Sequence, residues 1–250
     1  MSDNEEWDFY YCRVDDAPAS IFLNFEYREA RPAGLDTLYY VGLEMLSPGE
    51  HGLGVEPDVN ELWALEDNIT AATTPAGFTY VGRLRNQGDW QLTFYGRGGR
   101  EVELEELIVA HLSNSDRGYR VGSKEDGDWS YYEEFLLPDE EPWQWILNRR
   151  VVQQLAKSGD VHDKPRPVDH YVHFPDEAHR DKFLSAAQAQ GFTAEAGVTQ
   201  DSGDKPFSAH LVRNDAVELD HIHGVVMSVI ELAEEHDGDY DGWGAPIAEA

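Results

Sequence analysis

Four residues near the C-terminus have the spacing of a metal loop. Asp237, Asp239, Asp241 and Gly242 stand at positions one, three, five and six of a calcium-binding helix–loop–helix loop, where alternate carboxylates and a glycine turn wrap a hard cation. Position twelve of such a loop is a bidentate glutamate, but here it is Ala248, with Glu249 one place late. Position eight is Gly244 where a branched apolar residue belongs, and the residues after Ile247 are too few for an exiting helix. The stretch therefore reads as structural. Asp237-Gly238 stops a helix, with glycine relieving the left-handed cap geometry, and Tyr240 and Trp243 follow in a glycine-rich turn. Ile247 re-enters as a strand residue.

Histidine offers a second chemistry. His162, His170, His173, His179, His210, His221, His223 and His236 all lie in the C-terminal half. On a strand over Val168–Phe174, period-two alternation puts Asp169, Tyr171 and His173 on one face and His170, Val172 and Phe174 on the other. An Asp169-His170 dyad would thus point two ways, and no Gly-x-Ser-x-Gly elbow supplies a nucleophile. His221 and His223 diverge on a helix because residues two apart do not share a face. His170 and His210 fall on different strands, and the sequence leaves their convergence open.

A third candidate is basic and aromatic. Arg83, Arg85, Arg97 and Arg100 interleave with Tyr80, Trp90, Phe94 and Tyr95, the composition of a single-stranded RNA platform. Four arginines in so acidic a half are expected to form surface ion pairs instead. Gly96-Arg97-Gly98-Gly99 lacks the lysine of a phosphate loop and reads as a turn. Cys12, among aromatics, reads as a small core residue and, alone, can form no internal disulfide.

The net charge of −30 covers the whole chain: residues 1–150 hold 12 Lys/Arg and 30 Asp/Glu, residues 151–250 hold 7 and 19. Such a field repels phosphate backbones and speeds encounter with basic partners, so direct nucleic-acid binding is not expected. With 41% hydrophobic and 12% aromatic residues the chain can build real cores. The acidic start Met1–Trp7 lacks the regions of a signal peptide, and no apolar run reaches the ~20 residues of a membrane span. A cytoplasmic protein without membrane association is expected.

The elements that must position these residues follow in order. Strands are expected over Trp7–Val14, Ala19–Tyr27 and Leu38–Leu46, then a helix from a capping Asp58 to about Ala72. Phe78–Arg85 and Trp90–Tyr95 read as a hairpin around Asn86-Gln87-Gly88-Asp89. A short helix over Glu103–Leu112 precedes strands at Tyr119–Val121 and Tyr131–Leu137. Pro138-Asp-Glu-Glu-Pro142 marks the boundary. Beyond it come helices over Trp143–Lys157, Asp176–Gln190 and Leu219–His236, with strands at Val168–Phe174, Phe192–Val198, Phe207–Val212 and a closing Tyr240–Ile247. Both halves thus carry strand–helix–strand–strand–helix–strand. The fold class is α+β: two ferredoxin-like sandwich domains, antiparallel sheets with helices on one face, the first with extra edge strands. Residues 1–138 and 148–250 are the domains and 139–147 the linker.

Residues 148–247 resemble the family called regulator of ribonuclease E activity B. The likeness rests on Lys164-Pro165-Arg166, Val168-Asp169-His170, Phe174-Pro175, Arg180, Phe183 and Gly191-Phe192, and above all on the terminal Glu234-Glu235-His236 and Tyr240-Asp241-Gly242-Trp243-Gly244. The N-terminal half is similar to a bacterial domain of unknown function often fused to it, through Glu5–Tyr10, Leu65-Glu66-Asp67 and Tyr80-Val81-Gly82-Arg83. The resemblance implies a ferredoxin-like fold and a non-catalytic acidic protein that binds ribonuclease E, through an arginine-rich region of that enzyme, and dampens RNA decay. The alternative is a binding or scaffold module with a different partner. Asp169, His170, Tyr240, Asp241 and Trp243 are the candidate protein-binding residues. No catalytic, cofactor-binding or metal-binding residue is expected.

Overall fold

Alternating apolar residues of the N-terminal half become paired strands. The computed structural model describes residues 7–112, 115–199 and 203–249; Glu5, Glu6 and part of the Gln200–Pro206 loop lie outside them. The chain divides into two units, Met1–Trp143 and Gln144–Ala250. In the first, β1 (Trp7–Val14), β2 (Ala17–Asn24), β3 (Thr37–Glu44), β4 (Thr79–Asn86), β5 (Asp89–Gly96) and β6 (Tyr119–Glu125) form one sheet ordered β1-β2-β4-β5-β3-β6. Every pairing is antiparallel. Helix α1 (Asp58–Thr73) joins β3 to β4, and α2 (Glu101–Leu112) joins β5 to β6. Without the β1–β2 hairpin, which adds to the β4 edge, this is the ferredoxin-like arrangement.

One sheet face meets the helices. Val41, Leu43, Trp90, Leu92 and Phe94 pack with Leu62, Ile69, Leu104 and Ile108 in a single buried cluster. The opposite face is closed by the segment expected to be a strand at Tyr131–Leu137. That segment is instead a π-helical turn, Tyr131–Leu136. Asp126 winds it by accepting hydrogen bonds from Ser130 Oγ (2.6 Å), Ser130 N (3.1 Å) and Tyr131 N (3.2 Å). Trp129, at φ +62°, lies flat on Tyr95 with ring centres 3.9 Å apart.

Asp58 does not cap α1. It is buried, accepting from Ser47 N (2.8 Å) and Arg117 Nη2 (2.6 Å), because the β3–α1 loop folds its side chain back towards the Arg117 guanidinium.

The second unit is strand β7 (Arg166–Phe174), helix α4 (Glu177–Ala189), β8 (Thr193–Thr199), β9 (Phe207–Asp215), helix α5 (Leu219–Glu234) and β10 (Asp239–Gly244). Its antiparallel sheet runs β10-β7-β9-β8, again ferredoxin-like. Helix α3 (Glu140–Lys157) starts inside the stretch read as a linker. Pro142 is tolerated there because the first turn has no backbone N–H bond to lose. Asp176 caps α4 as expected, its Oδ1 accepting from His179 N at 2.9 Å. Val168, Val172, Phe174, Phe183, Leu211, Ile222 and Val226 share the core.

Two details of the C-terminal closure differ from expectation. The left-handed residue after α5 is Asp237 (φ +56°), not Gly238. Gly238 is needed for another reason: a Cβ there would sit 2.4 Å from the Phe174 ring. β10 ends at Gly244, so Ile247 lies beyond the strand, 48% exposed.

Candidate protein-binding face

The five candidate residues are divided by the pleat of two strands. On β7, Val168, His170, Val172 and Phe174 are buried towards the helices, whereas Asp169, Tyr171 and His173 look outward. Asp169 and His170 therefore form no dyad. His170 also does not meet His210, which faces outward from β9 opposite Tyr171.

His170 is fully buried. Its Nδ1 lies 2.9 Å from Tyr240 Oη, its ring meets Phe192 edge-on, and its Nε2 has no partner among the described residues. Burial, with the Arg213 charge, pulls its pKa down to about 4 despite the nearby Asp215 carboxylate. It is a neutral ring at neutral pH. Burial likewise pushes the Tyr240 hydroxyl far above its ordinary value.

β10 carries a bulge where it pairs with β7: Tyr240 faces Val172, but Gly242 already faces Tyr171. Residues three apart normally point to opposite faces of a strand. The extra residue, Asp241, lets Tyr240 and Trp243 both pack on the core side. Gly242 takes the φ of +136° this needs. Asp241 swings outward, its Oδ2 3.5 Å from His173 Nε2.

Trp243 leads to a group sequence reasoning missed. Its Nε1 donates to Asn148 Oδ1 at 2.8 Å; Asn148 Nδ2 lies 3.1 Å from His223 Nδ1, and Gln144 Nε2 donates to Asn148 Oδ1 at 3.0 Å. Asn148 is fully buried on α3. The signal available was an amide between the apolar positions Ile146 and Val152 of that helix.

Tyr171, His173, Glu195, Ser208, His210 and Asp241 line an open groove of about 760 Å³. Tyr171 is 44% exposed and stacks on His210, ring centres 5.1 Å apart and 12° from parallel. His210 Nε2 lies 2.7 Å from Asp169 Oδ1 and Nδ1 3.3 Å from Glu195 Oε1. Partial burial lowers the His210 pKa, but the two carboxylates outweigh it and hold the value above the ordinary 6.5. The face thus presents a flat imidazole held between two carboxylates beside an exposed ring.

The other candidates find local partners. Asp237 and Asp239 hold Lys205 Nζ between them, at 3.6 and 2.7 Å, where a calcium loop would place its ion. Among the described residues no three His, Cys, Asp or Glu side chains are grouped to hold a metal. His179 pairs with Asp176 and His221 with Asp215, at 2.9 and 3.1 Å. Arg100 forms the expected surface pair with Glu103 at 2.7 Å. Arg83 is instead buried: α1 presents Glu66 to the sheet, and that carboxylate accepts from Arg83 Nη1 (2.9 Å), Tyr80 Oη (2.7 Å) and Trp90 Nε1 (2.8 Å). With Trp90, Phe94 and Tyr95 inaccessible, these rings are no stacking platform for bases. Cys12 is only half-buried. Among the described residues no helix is long and apolar enough to cross a membrane.

By fold the chain is a pair of ferredoxin-like units, the second with an open polar sheet face. Residues 5–137 match the model of a family of unknown function (DUF695), and the chain belongs to that family. Residues 145–245 match the model of the family Regulator of ribonuclease activity B, in agreement with the resemblance read from Val168–His170 and Tyr240–Gly244. No curated protein matches the chain. Among solved structures it is similar to a "putative glycine cleavage system transcriptional repressor" (10% identity, 84% of this chain and 98% of that one, TM-score 0.27). It is also similar to an unknown protein from Galdieria sulphuraria (12% identity, 85% and 99%, TM-score 0.25). At those TM-scores neither likeness carries an argument.

Proposed function

We propose that this chain is a non-catalytic regulator that binds a ribonuclease E-type endoribonuclease, inhibits it and so slows RNA decay in the cytoplasm. The observation that carries the reading is the match of residues 145–245 to a family of ribonuclease-activity regulators. Two physical features support it. The net charge of −30 disfavours RNA as the direct ligand and favours a basic protein surface. Asp169 and His170, the nearest approach to a catalytic pair in the sequence, stand on opposite sheet faces.

In this reading residues 148–250 act as the regulatory domain, joined through 139–147 to the domain of residues 1–138. Of the candidate binding residues, Asp169 and Asp241 reach the partner, while His170, Tyr240 and Trp243 hold β7 and β10 in register beneath them. The family of unknown function spanning residues 5–137 gives a second reading its footing: a binding module with another partner.

The test is to titrate the purified chain into a cleavage assay of a ribonuclease E-type enzyme and to measure binding at low and high salt. Inhibition with salt-weakened binding is expected. Neither binding nor inhibition would remove the ribonuclease from the reading and leave the second one.

A further inference from the structure

The outer face of the second sheet carries a recognition unit already occupied by one of the chain's own side chains. The His210 imidazole is flat, lies parallel to the Tyr171 ring, and has a carboxylate within reach of each nitrogen, Asp169 on one side and Glu195 on the other. Those are the things a guanidinium asks of a binding site: a ring to stack on, and carboxylates aligned with its in-plane N–H groups. A second carboxylate, Asp241, stands across the same groove beside His173.

The first unit shows what becomes of this face when it is covered. There the sheet surface away from the helices is roofed by residues 126–136, which lay Trp129 on Tyr95 and bring Leu136 O to Tyr10 Oη at 2.8 Å. Among the described residues the equivalent face of the second unit has no such roof, and it carries the carboxylates Asp169, Glu195 and Asp241, to which a cationic cover is complementary.

We propose that this face is the surface on which an extended, arginine-bearing segment of a protein partner docks, its guanidinium stacking on Tyr171 and taking Asp169 and Glu195 from His210. The proposal rests on the regulatory reading above and names the chemistry of the contact. An extended segment suits it because alternate side chains of a strand point the same way, so arginines two apart can reach both Asp169/Glu195 and Asp241.

The groups facing His210 are Asp169 and Tyr171 from β7 and Glu195 from β8, with the His173–Asp241 pair next along the groove. A protonated His210 competes with the incoming cation for the two carboxylates. Binding therefore tightens as pH rises through the raised pKa of His210 and the ring gives up its charge.

The experiment is calorimetric titration of the full chain with a synthetic peptide of alternating arginine and threonine, at physiological salt, beside its lysine counterpart. Two triple variants with the same change in charge are compared. One alters the face, Asp169→Asn, Glu195→Gln and Asp241→Asn; the other alters exposed acids of α1 and α2, Asp67→Asn, Glu105→Gln and Glu106→Gln. The expected result is at least a tenfold loss for the face variant, less than threefold for the other, weaker binding of the lysine peptide, and a pH dependence removed by His210→Gln. Equal losses in both variants would assign binding to the bulk field and overturn the proposal, as would no binding by the unaltered chain. Self-association abolished only in the face variant would overturn it in favour of a second copy. Running both triples through the ribonuclease assay separates the two claims. Undiminished inhibition by the face variant sinks this surface and leaves the regulatory reading, whereas absent inhibition by the unaltered chain sinks that reading and leaves the peptide titration to decide the surface.

Discussion

The two units share a strand order and differ in what lies on the sheet face away from the helices. In the first, β5 offers Gln91, Thr93 and Tyr95 to that face, and the chain returns over it with Trp129, Tyr132 and Leu136, all buried. In the second, β7 and β9 offer Asp169, Tyr171, His173, Ser208 and His210, and no described segment of that unit covers them. Topology fixes which residues share a face, but the side chains decide whether the face becomes core or contact surface. An aromatic face is stabilised by burial at about 25 cal/mol per Å². A face of carboxylates and imidazoles would pay desolvation to be covered by anything that did not replace its pairings.

The most direct way to break this comparison is to cut one ring from each face. Trp129→Ala should destabilise the first unit by about 3–5 kcal/mol, because the ring is buried against Tyr95 and its Nε1 donates to Leu35 O at 2.8 Å. Tyr171→Ala should change stability by no more than about 0.5 kcal/mol. Urea denaturation of the full chain, followed by amide exchange in each unit, reads both. Losses of similar size would mean that the two faces do the same structural job.

Trp243→Ala comes next, at about 2–4 kcal/mol, since the ring is only partly buried yet its removal takes away one of the two donors to the buried Asn148 Oδ1 and leaves Gln144 as the other. Trp243→Phe keeps most of the packing and should lose about 1 kcal/mol. If Trp243→Ala instead left stability untouched and abolished partner binding, the ring would be a contact anchor and belong with the open face.

The periodicities that made the fold legible were strong ones. Ile21-Leu23 and the Ile222–Val229 stripe gave a strand and a helix because a half-buried strand repeats every two residues and a half-buried helix every three or four, and Leu38–Leu46 gave a central strand because it is apolar at almost every position. Tyr131–Leu137 misled because seven residues rich in aromatics satisfy a strand pattern equally well. What winds them into a π turn is Asp126, whose partners Ser130 and Tyr131 give no periodic signal. Asp58 misled in the same way, since a cap and a buried ion pair look alike until Arg117, 59 residues on, is in place. For the candidate face, alternation on β7 correctly separated Asp169 from His170. The sequence could not show the bulge at Asp241 that puts Tyr240 and Trp243 on one side, nor the partnership of Asp169 with His210, 41 residues away.

The smallest effects sharpen the comparison within a single sheet, because its two faces hold histidines that respond to pH with opposite sign. His170 is buried neutral, its pKa held near 4, so below pH 6.5 the unfolded chain takes up a proton that the folded chain refuses. Stability should fall from pH 6.5 towards 4 by about 1.4 kcal/mol per unit on this account. His170→Leu should flatten that slope in denaturation curves taken at each pH. His210 works the other way. Its folded pKa is raised, so its pairing with Asp169 and Glu195 stabilises the fold fully below pH 6.5 and is lost as pH rises through the folded value. His210 is partly solvated, so this contribution is the smaller of the two, and His210→Gln should remove only a shallow decline on the alkaline side. If instead both variants shifted the acid limb in the same direction, the two rings would share one environment, and the division of this sheet into a dry face and an open one would fail.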